Sequence, residues 1–196
     1  STGMADYADI RSAIQACYEE DNENIILLQC TSLYPAPAHL SNLAAMKTMR
    51  KAFNCLVGYS DHTLGGHVAI AAVALGACVI EKHFTLDRTL PGPDHGFAIE
   101  PNELSDMIQN IREVESAIGG GIKDGPSVEE REMYIKGRRS LHTKHSVSAG
   151  ETITRDNICI KRPGYGILPR LSKEVIGMVV TKDIPEDHWI SWEDLK

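Results

Sequence analysis

The sequence predicts an α/β protein: the C-terminal half of a (β/α)8 TIM barrel, followed by a small β-rich domain. Three observations carry this. From residue 1 to about 118, apolar strand-like runs alternate with helical patterns, and that order at that spacing means parallel strands joined by right-handed crossovers. The strand runs are continuously apolar, as in a sheet covered on both faces. Finally, "STGMADYADI" reads as a strand-to-helix loop with no strand before it, and three strands alone would leave much apolar surface uncovered. Half of a barrel explains both the repeat and the abrupt start. A doubly wound open sheet is the competing arrangement.

The elements follow in order. A helix runs roughly from Ala5 to Glu20, then the strand "NIILLQC". In "SNLAAMKTMRKAF", Leu43, Ala45, Met46, Met49 and Phe53 recur at helical spacing, with Ser41 or Asn42 placed to cap. Next come the strand "CLVGYS", the small-residue helix "GHVAIAAVALG" and the strand "CVIEKHF". The helix "EPNELSDMIQNIREVESAIG" opens on Pro101 with acidic residues and closes at glycine. This first domain covers 1–120. Residues 121–136, glycine-rich and then charged, read as a linker with a short helical turn. Residues 137–196 change character: short β segments with turns at "SAGE" and "RPGYG", then a short helix and another strand pair.

The net charge of −7 over 196 residues argues against a general nucleic-acid binder, which needs clustered Lys and Arg. No apolar run spans a membrane and no secretory signal opens the chain. Five cysteines are scattered without close pairing. Cys30, Cys55, Cys78 and Cys159 sit in apolar runs and read as reduced core residues of a cytoplasmic protein.

Ligands of parallel α/β sheets bind at the carboxyl ends of the strands. Those ends are "QCTSLYP", "YSDHT" and "EKHFT". By the period of two, Ser60 and His62 share a face, as do Glu81 and His83, while Lys82 turns away into packing. Imidazoles at neighbouring strand ends, His62 and His83, can reach one divalent metal ion. Taken singly, each is a satisfied polar residue near a loop; adjacency favours the metal. The long loop after His83 brings Asp94, as a water-mediated ligand, a base or a solvated turn residue, and His95. Ser1, Thr2, Ser32 and Ser60 are hydroxyl donors at strand ends, a weak signal for a phosphate or carboxylate cradle.

The runs "STGM", "LLQCTSLYPAP", "NLAAM", "VGYSDHTLG" and "AVALGACVIEKHFTLDRTLPGPDH" resemble the sialic acid (nonulosonate) synthase family over nearly the whole chain. From about Arg138, "GRRSLHTKHSVSAGETITRDNICIKRPGYGI" resembles that family's C-terminal antifreeze-like (SAF) domain. The resemblance implies an enzyme condensing phosphoenolpyruvate with N-acetylmannosamine or a related 2-acetamido sugar. The phosphoenolpyruvate C3 attacks the open-chain aldehyde, water adds at C2, and phosphate leaves by C–O cleavage. It implies a divalent cofactor, Mn2+ foremost with Mg2+ or Co2+ as alternatives, on His62 and His83, acting as a Lewis acid. Ser1, Ser32 and Ser60 match phosphoenolpyruvate contacts, though some members carry Asn where Ser32 stands. Tyr34 and Asp94 match positions near the sugar. Arg138 or Arg139 is the arginine that enters the partner's site in a swapped homodimer. The pairing of "GYSDHTLG" with "PGPDH" looks more like the legionaminate and N-acetylneuraminate branches than the pseudaminate one. The family's main phosphate-binding lysines lie in the barrel half absent here, so the segment alone is expected to be inactive.

Two rival readings stand beside this. A metal-dependent pyruvate aldolase would share the histidines but give no reason for the β-rich domain. A non-catalytic carbohydrate- or ice-binding module on residues 137–196 conflicts with the charges in "KRPGYG".

Overall fold

The computed structural model describes residues 1–196. They form two compact units, Ser1–Gly121 and Ile122–Lys196.

In the first unit, helix α1 (Tyr7–Glu19) starts at Asp6, whose carboxylate accepts from the Ala8 and Asp9 N–H groups while Asp9 accepts from Asp6. That reciprocal box satisfies donors that a helix start leaves free. Strands β1 (Ile26–Cys30), β2 (Leu56–Asp61) and β3 (Ile80–Lys82) form a three-stranded parallel sheet in the order β1-β2-β3. Between them run α2 (Ala45–Phe53) and α3 (His67–Ala74), and α4 (Pro101–Ile118) closes the unit.

Leu27, Val57 and Tyr59 pack with Ile10, Ile14, Met46, Met49, Val68 and Ala72 in one core. One set of alternate strand residues therefore faces the helices. The other set, with Gly58, Ser60 and Glu81 in it, faces the opposite side. A second core joins Ala69 and Val73 of α3 to Met107 and Ile111 of α4.

Two local expectations change. No side chain caps α2: Ser41 is buried and Asn42 adopts φ 44. The carbonyls of Asn42, Leu43 and Ala44 take the N–H groups of Ala45, Met46 and Lys47 instead, a 3-10-type entry that leaves a cap little to satisfy. Strand β3 is shorter than "CVIEKHF", ending at Lys82, and Phe84 continues only as a bridge to Ile99. All five cysteines are free, but only Cys30 is buried; Cys78 is exposed and Cys17, Cys55 and Cys159 lie between. Apolar sequence neighbours did not imply burial for Cys78, which precedes β3 on the sheet's outer strand.

The second unit includes most of the segment expected as linker, because α5 (Arg131–Gly137) is a helix and the division falls at 121/122. Strands β4 (Ser140–Thr143) and β5 (Ile158–Lys161) are antiparallel, and α6 (Ser172–Val175) is one turn. The strand pair expected near the C-terminus is present only as isolated bridges, Thr152 to Val179 and Val180 to Leu195. Leu141, Val147, Ile153, Val175, Val180, Ile184 and Ile190 form its core. No helix in the chain is long and apolar enough to cross a membrane.

Candidate active site

The carboxyl ends of the three strands converge on a cluster of rings. His62 directly follows β2 and is buried. Its Nδ1 lies 2.8 Å from the Thr31 carbonyl oxygen. A carbonyl only accepts, so Nδ1 carries the proton and Nε2 keeps its lone pair in the neutral ring. The His83 ring stands 5.2 Å from His62, centroid to centroid, with planes inclined by 63°. Its Nδ1 lies 3.6 Å from Asp94 Oδ2. The half-exposed Tyr34 ring packs 4.2 Å from His62 and 5.8 Å from His83. The loop carrying Tyr34 is pinned by the Ala36 N–H, which donates to the His62 carbonyl at 2.8 Å.

The structure thus brings Tyr34, His62, His83 and Asp94 together. Ser60 lies on the same sheet face, but its hydroxyl donates to Glu81 Oε1 at 2.6 Å, so an anion there has to compete with Glu81 for that proton. The Ser32 hydroxyl lies against Gly3, where a Cβ would stand 2.8 Å away. No hydrogen bond or ring contact ties Ser1 or Ser32 to the histidines, and Thr2 is spent on the Leu28 carbonyl. His95 is held in its loop, Nδ1 2.7 Å from the Thr85 hydroxyl. In the second unit, Arg138 bonds the Tyr134 hydroxyl and covers its ring at 4.6 Å. Arg139 is exposed and has no ion pair.

Three participants escaped the sequence reading. Phe97, buried in the 3-10 turn His95–Phe97, stands 5.1 Å from His83 and 5.6 Å from Tyr34. Glu81 was visible in "EKH" but received no role. The Thr31 carbonyl, a backbone acceptor, has no sequence signature.

The helix-facing side of the same strand ends is also polar. Lys82 Nζ donates to Asp61 Oδ2 at 2.9 Å, the side chains 4% and 0% exposed. Burial first of all pushes the Tyr59 phenol up to about 12; a nearby Ser41 hydroxyl opposes this and the Asp61 charge adds to it.

The donor chemistry suits a divalent ion in part. Two imidazoles are close, and the His62 tautomer leaves Nε2 available, with Thr31 as the outer partner that orients it. No group of three or more His, Cys, Asp or Glu side chains could hold an ion. An ion here would take its remaining positions from water or substrate.

A parallel β/α unit with such a cluster at its strand ends, followed by a small β unit, belongs to a definable class. Residues 1–123 match the NeuB family and residues 138–196 match the SAF domain. The chain belongs to the NeuB family. It is 44% identical over 192 residues to the N,N'-diacetyllegionaminic acid synthase of Campylobacter jejuni, covering 97% of this chain and 57% of that protein. The N-acetylneuraminate-9-phosphate synthase of Mus musculus is 36% identical, with 89% of this chain and 49% of that protein covered. The crystal structure of the spore coat polysaccharide biosynthesis protein SpsE from Bacillus subtilis superposes with a TM-score of 0.57 at 33% identity, over 99% of this chain and 59% of that one. The chain therefore spans from about half to three fifths of the length of these proteins. The half-barrel-plus-SAF fold class is consistent with these neighbours, and the open doubly wound sheet is set aside.

Proposed function

We propose that this segment forms part of a nonulosonate synthase that joins phosphoenolpyruvate to N-acetylmannosamine or a related 2-acetamido sugar and releases phosphate. One observation carries the reading: the His62 and His83 rings stand 5.2 Å apart at the ends of neighbouring parallel strands, with Tyr34 against both. His62 and His83 would hold a divalent ion, Mn2+ foremost, which when bound supplies Lewis-acid polarisation of the sugar aldehyde oxygen. The Thr31 carbonyl holds the His62 ring in the tautomer that presents Nε2. Tyr34 and Phe97 give the sugar an apolar wall. Asp94, on the loop after His83, is the acidic group nearest the pair and is placed to accept a sugar hydroxyl. Arg139 is the better candidate to enter a partner's site in a swapped homodimer, because Arg138 is engaged by Tyr134.

A legionaminate-type acceptor is favoured. Legionaminic acid synthases are 44% and 39% identical to the chain, whereas a pseudaminic acid synthase is 35% identical.

The test is phosphate release by the protein expressed from its whole reading frame, with Mn2+, phosphoenolpyruvate and a panel of 2-acetamido sugars. His62→Ala and His83→Ala should each abolish turnover and weaken Mn2+ binding, read by electron paramagnetic resonance, without lowering helix content. Activity with pyruvate in place of phosphoenolpyruvate would favour an aldolase. Unchanged turnover in both histidine variants would end the proposal.

A further inference from the structure

Each candidate metal ligand is preceded in sequence by a charged residue that turns the other way: Asp61 before His62, Lys82 before His83. These two are register partners across β2 and β3. We propose that the buried Asp61–Lys82 pair is the positioning device of the histidine pair, tying the ends of β2 and β3 from the helix-facing side and so setting the separation of the rings. The inference rests on reading the histidines as the reacting centre.

The ladder between β2 and β3 is short. It covers Tyr59↔Ile80, Ser60↔Glu81 and Asp61↔Lys82, and ends there. Beyond it, the His62 carbonyl is bonded to Ala36 and the His83 carbonyl to the Ile99 N–H at 2.9 Å, both away from the β2–β3 seam. The backbone ladder thus stops at Asp61↔Lys82, the register position next to both rings, and there side chains tie the seam from both faces. On the inner face, Ser60 donates to Glu81. On the outer face, Lys82 Nζ donates to Asp61 Oδ2 at 2.9 Å and to the Thr63 carbonyl at 2.6 Å, while Asp61 Oδ1 accepts the Thr63 N–H at 2.9 Å. Asp61, Thr63 and Lys82 thus close a ring of bonds around the turn that carries His62.

Stability alone is a poor reason for such a pair. Two charges with side chains 0% and 4% exposed lose hydration that their attraction seldom repays, and well-packed apolar replacements often do as well. An apolar pair would hold the sheet to its helices without fixing direction. The ion pair fixes both direction and distance at the one register position that adjoins both rings.

The experiment uses the whole reading frame and three proteins: wild type, Asp61→Asn with Lys82→Met, and Val57→Ala. The last lies in the same strand toward its other end and serves as a control for lost stability. Melting temperature, Mn2+ affinity by electron paramagnetic resonance and a crystal structure are compared. The double variant should lose at least tenfold more Mn2+ affinity than Val57→Ala, with the His62–His83 centroid separation displaced from that of the wild type. If the double variant does not fold, Asp61→Asn alone is read the same way. An unchanged ring separation, with Mn2+ affinity no lower than in Val57→Ala, overturns the proposal. Were the wild type to bind no Mn2+, the metal reading would fail by itself, and the ring separation in the crystals would still decide the positioning role.

Discussion

Gly58 shows how closely the strands are set. A Cβ there would stand 2.5 Å from the Val79 carbonyl oxygen and 2.6 Å from Leu28 Cδ2. The leucine can turn aside, but the backbone oxygen moves only if β2 and the chain entering β3 part. Gly58→Ala should therefore destabilise the first unit by about 1–3 kcal/mol, measured by urea denaturation. The same widening should weaken Mn2+ binding, since Gly58 shares a strand with Ser60 and leads to His62. The residues that matter here differ in how openly the sequence shows them. His62 and His83 are legible because the period of two places them beside Ser60 and Glu81 on one face. Lys82 is legible as outward by the same rule, but its pairing with Asp61 needs the register, which no single strand reveals. Phe97 reaches the cluster through a loop, and loops carry no periodicity from which its direction could be read.

At the scale of elements, ends are decided by where backbone donors and acceptors go. Helix α4 shows its start in the sequence, with Pro101 first and Glu103 bonded back to Glu100. The entry to α2 does not, because its donors are met by preceding carbonyls. In the second unit, the 3-10 turn Trp192–Asp194 depends on one carboxylate. Asp194 Oδ2 accepts the Ser191 N–H at 2.8 Å and the Ser191 hydroxyl at 2.7 Å, and Lys182 bonds Oδ1 at 2.8 Å. Burial pushes this carboxyl up, but the bonds from Lys182 and Ser191 together outweigh it and hold it below the usual carboxylate range. A carboxyl lowered in the folded state stabilises it above the unfolded pKa, about 3.9, and loses that contribution as pH falls through the folded value. Asp194→Asn should therefore lower the melting temperature of the second unit at pH 7. The gap from the wild type should shrink as the pH is taken below about 4. Thermal melts from pH 7 to pH 3 read this directly; a gap of constant size would show that the carboxylate's charge is not what holds the turn.

For the whole molecule, the alternation of strand and helix made the fold class legible, and the abrupt change of pattern near residue 137 separated the SAF domain. The residues between read as a linker with a short helical turn, and in the structure Arg131–Gly137 is helical. The charges of the first unit then decide what it can do by itself. Phosphoenolpyruvate, the substrate proposed above, would bring a phosphate and a carboxylate, which need cations in a site closed to water. Beside the histidines stand Glu81, on β3, and Asp94, on the loop after His83, both acidic. Lys82 is buried against Asp61, and Arg88 is bound to Glu100 and Glu103. The other Lys and Arg of this unit, Arg11, Lys47, Arg50, Lys51 and Arg112, lie on α1, α2 and α4. One divalent ion on two imidazoles would balance the two carboxylates and leave little for the substrate's anions. The 196-residue chain should therefore release phosphate from phosphoenolpyruvate no faster than a metal-only blank, even with Mn2+ and sugar at saturation. The protein from the whole reading frame should turn over. Its apparent KM for phosphoenolpyruvate should rise with added salt, as expected where distributed Lys and Arg attract the substrate. Robust turnover by the 196 residues alone would mean that the anions are held without those further cations, and the charge argument would be wrong.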